Sequence, residues 1–126
     1  MRKLISALVL FLGFHTYALA QMTLPAPSLW QNQRGSTLQI DSADPFFGIR
    51  GTFINRARGY KCRNIPYPVT GNVGPSINFH VMFAQCQSIA TWTVVQMNAG
   101  VMNTVWTLTV TGGGSTSGRD MFRQIR

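Results

Sequence analysis

Asn32, Ser36, Asn55, Ser88 and Asp120 are polar side chains in stretches whose alternation also carries large apolar residues. Ser36 shares a face with Leu38 and Ile40, Asn55 with Phe53, Ser88 with Trp92, and Asp120 with Phe122. Amides and hydroxyls both donate and accept hydrogen bonds, whereas an ionised carboxylate only accepts. A carboxylate on an inward face must be paired or hydrogen-bonded, because burying it bare is very costly. Each group taken alone reads as a solvated strand end, and five together could also satisfy one another as a buried network. Set among Trp and Phe, they describe an apolar cavity with a few oriented polar groups, the usual make-up of a small-molecule pocket. No activated nucleophile stands beside a base, and the set holds one carboxylate, so no catalytic residues are assigned. Beyond residue 20 there is one histidine, His80, and no CxxC spacing, so no metal site is assigned either.

Short strands must position these groups. Ser36–Asp41 alternates, as do Ile49–Ala57 and Ser76–Phe83. Ser88, Ala90, Trp92 and Val94 share one face, Thr104, Trp106, Leu108 and Val110 another, and Asp120 and Phe122 a last one. Period-two patterning rich in Val, Ile, Thr and aromatics indicates half-buried antiparallel strands. With Ser28–Asn32 and Tyr67–Asn72 the number of strands is eight, separated by turn residues such as Arg34-Gly35, Asp44-Pro45, Gly74-Pro75 and Asn98-Ala-Gly100. The expected class is all-β, an up-and-down barrel or a sandwich. An eight-stranded barrel closes around space for side chains or one small ligand. Gly112–Gly118 reads as a flexible loop.

The chain opens with Arg2-Lys3, an apolar run from Leu4 to Phe14, and Ala18-Leu19-Ala20. This is the pattern of an export signal, with cleavage expected before Gln21. The run is short of the roughly 20 apolar residues that span a bilayer, so no stable membrane insertion is expected. Residues 1–20 are thus read as a signal peptide and 21–126 as one domain, secreted or periplasmic. Of the eleven Lys and Arg, two lie in the first three residues; nine then face three acids, a formal charge of +6. The aromatics sit inside strand patterns and not along an exposed basic stripe, which argues against nucleic acid as a partner. Cys62 and Cys86 are the only cysteines, and in an exported chain an isolated pair reads as a disulfide.

Six segments carry a family resemblance. Trp30-Gln-Asn-Gln-Arg-Gly-Ser36 resembles the first-hairpin motif of the avidins, and Gly51-Thr-Phe-Ile-Asn55 their third strand. Tyr67-Pro-Val-Thr-Gly71, Ser88-Ile-Ala-Thr-Trp92, Asn103-Thr-Val-Trp106 and Gly118-Arg-Asp-Met-Phe122 resemble further motifs, in the family's order. The resemblance is nearest to the dimeric, rhizavidin-like branch, through Asn55-Arg-Ala-Arg-Gly59, Cys62, Pro66-Tyr-Pro68 and Cys86. It implies an eight-stranded antiparallel up-and-down barrel with a ligand cavity at one end. In such a meander the third and fifth connections emerge at the same end, so a Cys62–Cys86 bridge is topologically possible.

The resemblance also implies a biotin-binding, non-enzymatic protein without a cofactor. Asn32 and Ser36 would donate to the ureido oxygen, while Asp120 accepts from one ureido N–H and Asn55 occupies the position facing the other. Trp92, Trp106 and Phe83 would pack the bicyclic ring, and Ser88 would reach the valerate carboxylate. Three positions depart from the family's pattern: Phe53 stands at a usual tyrosine, Phe83 at a usual tryptophan, and Ala90 at a usual threonine. Binding weaker than in the tightest members is therefore expected. A short Ala84–Gln87 connection and the lack of a tryptophan near Gly112–Gly118 favour a homodimer with self-contained sites. Arg34, Arg58, Lys61, Arg63 and Arg119 are placed near the mouth, as a basic rim toward the biotin carboxylate or as plain surface charge. The rival readings are a barrel for another small cyclic urea or amide, and a basic surface-binding or inhibitor protein.

Overall fold

The computed structural model describes residues 23–126; the expected export signal lies outside them. Among the described residues eight strands follow one another in chain order: β1 (Ser28–Asn32), β2 (Thr37–Asp44), β3 (Gly48–Ile54), β4 (Pro66–Val73), β5 (Ile77–Phe83), β6 (Ser88–Asn98), β7 (Val101–Val110) and β8 (Ser115–Gln124). Each pairs antiparallel with the next, and β8 returns to β1 through Trp30↔Gln124, Gln31↔Arg123 and Asn32↔Phe122. The sheet is a closed barrel with no free edge, which removes a row of unpaired backbone groups. One 3₁₀ turn, Ala84–Cys86, interrupts the strands between β5 and β6. No helix among the described residues is long and apolar enough to cross a membrane.

The alternation read from the sequence is the alternation of the wall. Leu38 and Ile40, Ile77, Phe79 and Val81, and Phe122 all point inward and are at most 1% exposed. Trp30 joins them, its indole N–H donating to Ser28 Oγ at 2.8 Å, so even its polar atom is satisfied inside. Gly51 sits where β3 crosses close to β2: a Cβ there would lie 1.9 Å from the Gln39 carbonyl oxygen. Only a residue without a side chain lets the two backbones approach so closely.

Several boundaries differ from the sequence reading. Strand β2 runs on to Asp44, β3 stops at Ile54 and so leaves Asn55–Ala57 in the connection, and β8 begins at Ser115, inside the segment expected to be a flexible loop. The connection between β7 and β8 is only Thr111–Gly114. Its Gly/Ser/Thr composition reads as loose, yet Ser115–Gly118 is held by the ladder Thr109↔Ser115, Leu108↔Thr116, Thr107↔Ser117 and Trp106↔Gly118. Hydroxyl pairs cross it on the outer face, Thr109 with Ser115 at 3.1 Å and Thr107 with Ser117 at 3.3 Å. Tertiary pairing overrides weak local β-propensity here.

In this meander the β1–β2, β3–β4, β5–β6 and β7–β8 connections all emerge at one end, the mouth. Cys62, in the β3–β4 connection, is bonded to Cys86, in the β5–β6 turn, with 6.0 Å between the Cα atoms. Cys62 is buried in the core, so the bridge draws the long β3–β4 connection down over the barrel opening. Closing the 24-residue separation restricts the unfolded chain. The double variant Cys62→Ser/Cys86→Ser is expected to lose about 3 kcal/mol of unfolding free energy. Urea titration of oxidised wild type and variant checks this, and equal midpoints would contradict it.

Candidate functional site

A cavity of about 240 Å³ opens at the mouth. Its polar wall is built from side chains whose backbone neighbours dictate their orientation. The Asn32 side-chain Oδ1 accepts the N–H groups of Arg34 and Ser36, both at 3.0 Å, as the chain turns after β1. With the oxygen so engaged, the amide nitrogen must face the interior, where it lies 3.4 Å from Asp120 Oδ2. Ser36 Oγ accepts the Arg56 N–H at 2.9 Å, which leaves the hydroxyl proton free to donate elsewhere. Asn55 Oδ1 accepts the Ala57 N–H at 2.8 Å, and its second lone pair stays available.

Asp120 is the anionic centre of the wall and is 6% exposed. Trp92 Nε1 donates to its Oδ2 at 2.9 Å and Gln33 Nε2 donates to its Oδ1 at 2.8 Å. Gln33 in turn accepts the Met121 N–H through its side-chain oxygen at 2.9 Å, continuing the β1–β8 seam past the last backbone pair. The Arg34 Nε lies 4.0 Å from Oδ1, and the guanidinium sits 5.3 Å from the centre of the Trp106 ring. The carboxylate thus meets neutral donors from the end of β1, from the turn after it and from β6, and a cation at the rim.

The apolar wall is a layer of aromatic rings. Phe53 leans on Trp92 at 4.9 Å, and Phe83 is met edge-on by Phe53, Tyr60 and Tyr67 at 5.1–6.1 Å. Behind the wall Phe79 stacks on Trp92 at 5.2 Å, fixing the indole whose N–H serves Asp120. Trp106 lines the opposite side, with its Nε1 buried and without a hydrogen-bond partner in the protein. Such burial of ring surface is favourable and directional through edge-to-face contacts.

Nine of the ten residues picked from the sequence meet on this wall: Asn32, Ser36, Phe53, Asn55, Phe83, Ala90, Trp92, Trp106 and Asp120. Ser88 is placed differently. It is buried, and its Oγ is 2.6 Å from the Tyr60 hydroxyl, so the tyrosine and not the serine forms the cavity surface. Burial raises the Tyr60 hydroxyl pKa above its ordinary value, and the Ser88 hydrogen bond opposes the shift. Among the five basic residues expected near the mouth, Arg34 and Arg58 line the cavity, while Lys61, Arg63 and Arg119 do not. Lys61 and Arg63 flank the buried Cys62 and lie on the exposed side of the loop, and Arg119 alternates with Asp120 onto the outer surface.

Gln33, Tyr60 and Leu108 were missed from the sequence. Leu108 shares the face of Trp106 and was legible from that pattern. Tyr60 had one available signal, its position two residues before a cysteine whose partner lies across the mouth. Gln33 follows the strand and had none.

The geometry defines a class: a closed antiparallel barrel with a small cavity at its mouth, lined by Asn32, Ser36, Asn55 and Asp120 among aromatic rings. Sequence comparison says which barrel it is. The Avidin family model matches residues 21–124, and the chain belongs to this family. It is 33% identical over 113 residues to afifavidin of Afifella pfennigii, covering 78% of this chain and 68% of that protein. It is 30% identical over 132 residues to hoefavidin of Hoeflea phototrophica, covering 90% and 80%. The bradavidin2–biotin complex superposes with a TM-score of 0.74 at 42% identity, covering 82% of this chain and all of that one. The rhizavidin–biotin complex gives 0.71 at 38%, covering 81% and 93%.

Gly118 faces the Trp106 ring across the β7–β8 pair, and a Cβ there would lie 2.5 Å from ring atom Cζ2. Gly118→Ala is expected to push the indole off its seat, shift the tryptophan emission and cost about 1–3 kcal/mol of stability. Fluorescence and chemical denaturation check this; an unchanged spectrum would contradict it.

Proposed function

We propose that the chain binds biotin non-catalytically in this cavity. The observation that carries the reading is the donor-surrounded Asp120 carboxylate beside Asn32 and Ser36, inside a ring of aromatics. A planar urea needs donors at its oxygen and acceptors at its nitrogens. Asn32 Nδ2 and the free Ser36 proton supply the first, and Asp120 and the remaining Asn55 lone pair supply the second. Negative charge from Asp120 polarises the urea, which strengthens the bonds at its oxygen. Phe53, Phe83, Trp92 and Trp106 exclude water from the bicyclic ring, contributing roughly 25 cal/mol per Å² of apolar surface covered.

Affinity is set below that of the tightest binders by one missing donor. Phe53 is 1% exposed and carries no hydroxyl, so the ureido oxygen receives two donors and not three. Ala90, on the wall, offers only a methyl group toward the ligand's sulfur. The protein acts after export, with residues 1–20 as its signal peptide. It works as a homodimer: on the outer face of β5, β6 and β7, Met82, Ile89 and Val105 are exposed, apolar surface that a second copy would cover.

Calorimetric titration of oxidised protein with biotin tests the reading, with one site per chain expected. Asp120→Ala leaves the ureido N–H and the Trp92 N–H unpartnered, and should weaken binding by at least about 3 kcal/mol, more than a hundredfold. Phe53→Tyr restores a third donor and should tighten binding by about 1 kcal/mol, roughly fivefold. Absence of any heat with biotin would sink the proposal.

A further inference from the structure

The mouth carries a cation whose role the ring-binding wall does not explain. Arg58 lies in the β3–β4 connection, is exposed, and lines the cavity. Among the described residues no carboxylate lies within 4.0 Å of its guanidinium; the one such pair is Arg34 with Asp120. Its neighbours are otherwise occupied: the Arg56 N–H goes to Ser36, the Ala57 N–H to Asn55, and the Arg56 guanidinium to the Asn64 side chain. The backbone carrying Arg58 is held over the opening by the Cys62–Cys86 bond four residues on and by the Asn64 N–H bonding the Asn55 carbonyl at 2.7 Å.

The acids that could neutralise it are elsewhere. Asp44 caps the β2–β3 turn at the opposite end, accepting the N–H groups of Phe46 and Phe47. Asp41 is exposed on β2 and accepts from Gln39. Asp120 is inside the cavity, already met by Trp92 and Gln33. The field at the mouth is therefore positive, and low-dielectric walls focus it along the cavity axis. Ser88, the neutral group expected to meet a ligand's tail, is covered by Tyr60. An anionic tail leaving the cavity meets Arg58.

We infer that Arg58 is a specificity-determining residue that makes the site prefer ligands ending in a free carboxylate over their esters and amides. This rests on the biotin reading and deepens it: the free acid is the preferred ligand, and biotin joined through an amide to a protein is the poorer one. A guanidinium and a carboxylate form a charge-assisted pair that an ester or amide cannot form, because its tail has lost the charge.

The test is calorimetric titration of wild type, Arg58→Gln and Lys61→Gln with biotin and with biotin methyl ester at low and at physiological salt. Lys61→Gln removes the same charge from the same loop, off the cavity wall. Wild type should bind the acid about tenfold more tightly than the ester, with the ratio shrinking as salt rises. Arg58→Gln should bring that ratio close to one by weakening the acid far more than the ester, and Lys61→Gln should keep the wild-type ratio. Equal binding of acid and ester by wild type overturns the inference and leaves the biotin reading standing. So does an unaltered ratio in Arg58→Gln, or an equal loss in Lys61→Gln, which would mean diffuse surface charge. Failure of both ligands to bind wild type overturns both readings.

Discussion

A carboxylate inside a barrel must be surrounded by donors, and in this protein the donors to Asp120 come from distant parts of the chain. Asn32 ends the first strand, Gln33 follows it in the turn and Trp92 lies in the sixth, while Asp120 itself sits in the eighth. They meet because β8 closes on β1 and because Trp92 reaches across the interior. Closure and charge burial therefore depend on each other. Opening the β1–β8 seam would strip Gln33 and Asn32 from the carboxylate, and a barrel without those donors would hold an uncompensated charge. The same donors that make Asp120 tolerable without a ligand also fix where its remaining lone pairs point, so the site is organised before anything binds.

Around that charge the barrel divides its labour by depth. The half toward the closed end is a solid core, with Trp30, Ile40, Ile77, Phe79 and Phe122 all but sealed from solvent. The half toward the mouth is a shell of rings around a cavity. Rigidity in the shell comes from the core: Phe79 backs Trp92, and Tyr67 backs Phe83. The opening is narrowed from outside by the disulfide-tethered loop, which brings in Tyr60 and the cationic rim. A single bond between two loops thus links the stability of the fold to the shape of the entrance.

Much of this was legible in the residues. Alternation placed Leu38, Ile40, Phe79, Trp92 and Phe122 on the inside, because a strand turns successive side chains to opposite faces whatever its neighbours are. It also exposed Asn55, Ser36 and Asp120 as polar intruders on apolar faces. Motifs in register named the family. Less legible were features set by distance in space. Ser115–Gly118 looked like loop because its composition favours nothing, yet the partner strand β7 and the Trp106 ring demanded an extended run with a glycine in it. Ser88 looked like cavity wall because its strand face is inward, but a side chain from another loop lies over it.

What the sequence by itself determined is the set of facing residues, since it follows from period-two geometry; periodicity left a barrel or a sandwich open, and the family resemblance supplied the up-and-down order. It also determined the chemistry available inside: one acid, two amides, small hydroxyls and aromatic rings. Only the tertiary structure decided which of these touch, which side chain lies outermost, and which charges reach the opening. Contacts such as Gln33 with Asp120, Tyr60 over Ser88 and Arg34 over Trp106 join loops to strands far away in the chain. Local periodicity carries no information about such pairs; barrel closure and the bridge between two loops create them.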